Sequence, residues 1–513
     1  GFGNTFKATA LRRLGSWGSR LSSDDVDRLL EWAVRIIPNR DVRSEAERLR
    51  HALTHNENAR ALSDRIFDLA PKARQRLIES FLVNWGVLGG VRRHQVLEEE
   101  GWLPPSFAVI SPTMRCNLRC EGCYAFEYRK SGELTTDEFD RVISEGKDLG
   151  MYFFTISGGE PFVREDLLDM FEKHNDCFFQ IYTNGTLIDD EVADRLLELG
   201  NAAPAISVEG YDRETNARRG EGTYERVLAA MGRLKERGLP FGISVTVTSK
   251  NYETITSDRL FDFYIEQGAV FAWLFQYIPI GREPNVELMA TPEQRVALRH
   301  RVNDLRFRKP IFIGDFWNDG QYVGGCMAGG RLYFHVTSNG NVEPCVFCHF
   351  AVGNIRQAPL REILACDFFR AIRYEQPYND IRNLYAPCMI IDNPEVLRSL
   401  VREYGAVPSH DGAESIVEDP VIVEHLKEYG RTLRELTDDE WRRDHYDNEA
   451  SEWHRHGERI VRQWALERPY LEEWYRESHG LGERVVDDRE PEDGSGSAGS
   501  DGRRTDDVPV GGS

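Results

Sequence analysis

The chain has 513 residues and a formal net charge of −21, from 85 Asp and Glu against 64 Lys and Arg. That balance sets aside a phosphate-backbone partner and favours solubility, and the most apolar stretch, near Phe81–Leu88, is far shorter than the ~20 residues of a membrane span. An odd total of nine cysteines without a signal-peptide pattern points to a reducing cytoplasm rather than a disulfide framework.

Residues 1–104 read as an N-terminal helical region. Asp24–Ile37 places Val26, Leu29, Leu30, Ala33 and Ile37 on one face before Pro38, and a second helical run covers Ala73 to about Leu88. Pro104-Pro105 breaks the chain. Phe107–Ile110 is then a short buried strand, Thr135-Thr-Asp-Glu138 is a capping box, and Phe139, Val142, Ile143 and Leu149 follow at roughly helical spacing. Tyr152–Ile156 is a second strand.

The alternation continues. Strands are expected at Phe178–Thr183, Ala203–Val208, Phe241–Thr248 and Ala269–Ile278, and helices at Asp189–Leu199, Thr223–Arg237 and Asp258–Gln267. Six strands with helices between them call for a parallel sheet with helices outside, an α/β architecture.

Between the first strand and its helix lie Cys116, Cys120 and Cys123, spaced C-x3-C-x2-C. A loop this short can wrap three thiolates round three irons of a [4Fe–4S] cube and leave the fourth iron open. A zinc site normally closes with four protein ligands, and no nearby His or fourth Cys supplies one. The second strand ends in Ser157-Gly158-Gly159-Glu160-Pro161.

This order of strand, cysteine loop, helix, strand and Gly-Gly-Glu-Pro resembles the radical SAM superfamily. The resemblance implies an open (β/α)6 partial TIM barrel over residues 105–310, with chemistry at the C-terminal strand ends. It makes Cys116, Cys120 and Cys123 the metal ligands, with S-adenosylmethionine on the open iron. It places Ser157, Gly158, Gly159 and Glu160 at the methionine ammonium, where glycines allow close backbone approach and a carboxylate pairs with the cation. Asn184 in Thr183-Asn-Gly185, Ser207 and Glu209 in Ser207-Val-Glu-Gly210, and one of Arg218 and Arg219 complete the implied cofactor-binding set. Glu209 stands where many relatives carry Asp. Gly122 takes a position that is often aromatic, followed by Tyr124.

The implied activity is reductive cleavage of S-adenosylmethionine to a 5′-deoxyadenosyl radical, which removes hydrogen from a substrate. A ferredoxin or flavodoxin is the implied electron donor. The expected substrate is a peptide or protein; the alternative is a non-peptide metabolite such as a lipid, towards which the helical N-terminus and the apolar segment near Trp85 lean. A non-catalytic iron–sulfur scaffold is the third reading. No catalytic residue is assigned, although Gln276, Tyr277, Arg282 and Trp317 are expected near the substrate.

Residues 311–394 hold Cys326, Cys345, Cys348 and Cys388 among Gly and Pro, with an Asn339-Gly340 turn. This pattern resembles the SPASM and twitch extensions that carry auxiliary iron–sulfur clusters. Without the dense central cysteines of a full SPASM pattern, one auxiliary [4Fe–4S] cluster is expected, on Cys326, Cys345 and Cys388. Cys348 or His349 completes its ligation, or one iron stays open. Cys177 and Cys366 read as ordinary core or helix residues. Residues 395–484 read as a charged helical region whose Trp441, Trp453, Trp464 and Trp474 pack on the barrel, and residues 485–513 as a disordered acidic Gly/Ser tail.

Overall fold

Four strands rich in aromatic, β-branched and small apolar residues open the sheet: β1 (Phe107–Ile110), β2 (Phe153–Ile156), β3 (Phe178–Thr183) and β4 (Ala202–Val208). They are followed by β5 (Gly242–Val247), β6 (Phe271–Gln276) and β7 (Phe312–Asp315). Every neighbouring pair from β1 to β7 is parallel, in chain order. In this computed structural model the described residues are 50–448 and 462–480, with 31 and 47.

Helices Thr136–Asp148, Leu167–Lys173, Asp190–Leu199, Thr223–Glu236, Asp258–Gln267 and Pro292–Arg308 supply the crossovers. Their ends follow from local chemistry. Thr135 and Glu138 form the expected capping box, Asp189 and Ser257 accept amide hydrogens at two more N-termini, and Gly200 and Gly268 stop two helices in the left-handed conformation. The α/β partial barrel is therefore as read from the sequence, with one addition. A seventh parallel strand, β7, lies beyond residue 310, where no strand was expected; its four residues follow Pro310 without any alternating pattern.

The other edge of the sheet is extended by the cysteine-rich segment. β8 (His335–Val336) pairs parallel with β1, β9 (Asn341–Glu343) is antiparallel to β8, and β11 (Gly353–Asn354) is antiparallel to β9. β10 (Phe350–Ala351) pairs separately with β12 (Val407–Pro408). The Asn339-Gly340 turn thus closes a true hairpin, with Gly340 at φ +86°.

Before the barrel, residues 71–100 form one continuous helical run, α-helical at Pro71–Arg76 and Gly90–Glu100 and π-helical at Leu77–Gly89. The run lies near β2 and β3, with Phe81 5.3 Å from Phe153 and 5.7 Å from Phe178, ring to ring. After the cysteine-rich segment, helix Pro420–Trp441 packs on Pro292–Arg308. Trp441 and Trp474 are buried, but their bonds go to the cysteine-rich segment rather than to the barrel as expected: Trp441 Nε1 donates to the Ile381 carbonyl (3.3 Å) and Trp474 Nε1 to Asp367 Oδ1 (2.8 Å). The Asp24–Ile37 helix, Trp453, the Trp464 side chain and the 485–513 tail lie outside the described residues. Among the described residues no helix is long and apolar enough to cross a membrane.

Candidate iron–sulfur and cofactor site

The cysteine loop is fixed by backbone. Its Thr113 and Arg115 carbonyls accept hydrogen bonds from the amides of Gly159 (3.0 Å) and Glu160 (2.8 Å). A Cβ on Gly158 would fall 2.2 Å from the Thr113 oxygen, and one on Gly159 would fall 2.1 Å from the Arg115 oxygen. These glycines therefore let the β2 end lie directly on the cysteine loop. Arg282 holds the other side: its amide donates to the Cys123 carbonyl (3.1 Å), its guanidinium to the Arg119 carbonyl (2.9 Å), and it stacks over Phe126.

Cys116 is exposed and Cys120 and Cys123 half-buried. All three line the mouth of one cavity of about 1810 Å³, together with Ser157, Gly158, Gly159, Asn184 and Ser207. Desolvation, then the charges of Glu160 and the other two thiols, push the Cys116 thiol up to about 11. Among the described residues no three His, Cys, Asp or Glu side chains gather tightly enough to share one ion. Cys116 feels the charges of Cys120 and Cys123, and Cys123 that of Cys120, so the three thiols share one neighbourhood.

The carboxylates sit behind this wall. Glu160 is fully buried and accepts hydrogen bonds from Thr183 Oγ1 (2.7 Å), the Asn184 amide (2.7 Å) and the Phe162 amide (3.2 Å). Burial pushes its carboxyl up to about 7. It thus ties the β2 end to the β3 end. Glu209 plays a similar part at β4, where one oxygen, Oε1, accepts from both Arg218 Nη1 (2.6 Å) and Arg219 Nη2 (2.6 Å). Both arginines also line the cavity, so neither is a merely solvated helix charge. Asn184 donates to Asn117 Oδ1 (2.8 Å) inside the cysteine loop. The Tyr124 hydroxyl is committed to Ser157 Oγ at 2.7 Å.

In the cysteine-rich segment Cys326 feels the charge of Cys345, Cys345 that of Cys388, and Cys388 that of Cys326. Cys348 feels Cys345 and Cys388, and its amide donates to the Cys345 carbonyl (2.9 Å). Burial pushes Cys326, Cys345 and Cys388 up to about 12. The four thiols lie close enough to feel one another's charge, Cys345, Cys348 and Cys388 buried and Cys326 half-buried, a donor set of the kind an iron–sulfur cluster takes. His349 does not offer a free nitrogen. Nε2 faces the Val346 carbonyl (3.1 Å) and Nδ1 faces His410 Nε2 (2.7 Å). Cys177 is core and Cys366 caps the helix Asp367–Glu375, as expected.

A connection invisible in the sequence joins the two thiol groups. Ser111 Oγ, His335, Glu343 and the Tyr128 hydroxyl form a buried chain with three contacts of 2.7 Å each. It links the end of β1 and the residues following the cysteine loop to the β8–β9 hairpin.

A family model described as Radical SAM superfamily matches residues 110–259, and one described as an iron–sulfur cluster-binding domain, SPASM, matches residues 326–389. An AdoMet-dependent heme synthase of Methanosarcina barkeri (strain Fusaro / DSM 804) is 30% identical over 294 residues, covering 51% of this chain and 82% of that protein. The chain belongs to the radical SAM superfamily. This radical SAM protein is also similar to a PqqA peptide cyclase of Granulibacter bethesdensis (strain ATCC BAA-1260 / CGDNIH1), 27% identical over 306 residues, covering 57% of this chain and 81% of the relative. A mycofactocin maturase of Mycobacterium tuberculosis (strain CDC 1551 / Oshkosh) is 30% identical over 276 residues, covering 50% and 69%. It is a radical SAM enzyme, with S-adenosylmethionine and a [4Fe–4S] cluster as cofactors and a SPASM-type domain for auxiliary iron–sulfur.

Proposed function

We propose that this radical SAM enzyme abstracts hydrogen from a peptide or protein substrate held at the C-terminal mouth of the barrel. The bound cofactors supply a 5′-deoxyadenosyl radical from S-adenosylmethionine, and the protein supplies the positions. Cys116, Cys120 and Cys123 hold the first cluster. Gly158, Gly159 and Ser157 form the wall beside it, and Arg218 and Arg219, braced by Glu209, face the cofactor's carboxylate. Cys326, Cys345, Cys348 and Cys388 hold one auxiliary cluster, fully ligated by protein. The single observation that carries this reading is that all three loop cysteines open with Ser157–Gly159 and the arginine pair on one cavity. The peptide substrate is supported by the relatives named as a peptide cyclase and a mycofactocin maturase. We place the domain limits at 105–310 for the core and 311–394 for the auxiliary segment, with β7 as the seam, and take a ferredoxin or flavodoxin as the electron donor.

One observation favours a second reading, a non-peptide apolar substrate: the same cavity runs on past Trp85 and Phe81, lined mostly by apolar side chains. The test is deuterium transfer into 5′-deoxyadenosine from deuterated cell fractions. A peptide fraction that stimulates transfer and loses this effect after protease treatment supports the first reading. A solvent-extracted fraction that alone stimulates it supports the second, and stimulation by neither overturns both.

A further inference from the structure

The interior of the barrel is hollow, and the burial pattern of its strands shows why. On β6 the outward residues Ala272, Leu274 and Gln276 are buried, whereas Phe271, Trp273 and Phe275 are only partly so. Ser244 and Thr246 on β5, Ser207 on β4 and Tyr182 on β3 show the same partial access. In a closed barrel the inward positions carry bulky branched side chains stacked in layers. Here several are small, and two glycines clear the way for the large ones. A Cβ on Gly242 would fall 2.3 Å from Phe271, and one on Gly314 would fall 2.4 Å from Trp273. The two rings lie over those glycines on the neighbouring strands, leaving the lumen open.

The resulting cavity has two ends. At the C-terminal strand ends it meets the cysteine loop. At the other end it is lined by Leu82, Val87, Val91 and Phe312, which are also 43–54% exposed and so mark a second opening. Six-residue strands such as β3, at about 3.3 Å per residue, make the passage roughly 20 Å long.

The lining holds few polar side chains: Gln180, level with Thr155 and Ala203 at mid-lumen, is only 7% exposed. A peptide backbone would bring a donor and an acceptor per residue into this lumen and find few partners.

We propose that the lumen binds the long apolar chain of a lipid, whose tail reaches the Leu82–Val87 opening. This rests on the second substrate reading and names its class.

The experiment is titration of the cluster-loaded enzyme with cis-parinaric acid, a fluorescent fatty acid, without S-adenosylmethionine or reductant. Failure to bind is thereby distinguished from failure to cleave the cofactor. Saturable binding of one probe per chain is expected. Ser244→Phe and Ala203→Phe, which fill the lumen, should weaken it more than about tenfold while iron content and the melting profile are kept. Should either variant not fold, Thr246→Phe, which narrows the lumen from β5, supplies the second measurement and should weaken binding about tenfold. No saturable binding, or binding unchanged by the filling variants, overturns the proposal.

Discussion

Gly159 concentrates the argument at the scale of single residues. Its missing side chain is the space through which the β2 end reaches the Arg115 carbonyl. Gly159→Ala is therefore expected to push the cysteine loop away from β2, lowering iron content by up to roughly half and abolishing cofactor cleavage, as read by iron assay and 5′-deoxyadenosine yield. Cys348 makes a second residue-scale prediction. In the proposed auxiliary site Cys348 is the fourth thiol, so its replacement by Ala should change the auxiliary cluster's electron paramagnetic resonance signal and leave the first cluster's signal intact. An unchanged auxiliary signal would make Cys348 a packing residue. The Gly-Gly-Glu run was legible in the sequence, yet the use to which its parts are put was not. Glu160 is spent on Thr183, Asn184 and Phe162, and Glu209 gathers both arginines, because residues distant in sequence meet only at the strand ends.

Among the elements, the helix Thr136–Asp148 couples local sequence to the auxiliary segment. Glu138 serves twice, accepting the Thr135 amide in the capping box and pairing with Arg356 beyond β11. The hydrogen bond from Arg356 and the Thr135 amide hold its carboxyl at about 2, against an ordinary value near 4.5. A depressed carboxylate contributes stability above its unfolded value, and this is lost as pH falls from there towards about 2. Glu138→Gln should thus be less stable than the parent at pH 7, by no more than about 1 kcal/mol because the pair is partly exposed, and equal to it near pH 2. Thr135→Ala should cost about 1 kcal/mol at both pH values, since a hydroxyl cap does not titrate. Denaturant unfolding at the two pH values checks both. The helix and its cap could be read from sequence because every signal is local. β7 could not, since four residues after a proline carry no periodicity and only pairing with β6 makes them a strand.

For the molecule as a whole, the central question is how the barrel and the cysteine-rich segment become one unit. Two buried polar links join them. One is the Ser111–His335–Glu343–Tyr128 chain. The other is Arg295 on helix Pro292–Arg308, whose guanidinium pairs with Asp392 while Asp392 Oδ2 accepts the Cys388 amide at 2.9 Å. Both partners are fully buried, so removing one charge leaves the other unpaired. Asp392→Asn should destabilise the fold by roughly 3–5 kcal/mol, measured by denaturant unfolding of the loaded enzyme. Neither link was legible in the sequence, where its members lie far apart. The barrel itself was legible because alternating strands and helices admit few arrangements. The hollow lumen was not, because it depends on which strand residues face inward and on which rings lie over Gly242 and Gly314.

The most direct test of the two-cluster radical SAM account is anaerobic reconstitution of the parent and of the variant with Cys116, Cys120 and Cys123 replaced by Ala. Each is reduced with dithionite in the presence of S-adenosylmethionine, then assayed for iron and for 5′-deoxyadenosine. The account predicts about eight irons and 5′-deoxyadenosine from the parent, and about four irons with no 5′-deoxyadenosine from the variant. Iron that vanishes entirely or stays unchanged, or cleavage that survives the three substitutions, would contradict it.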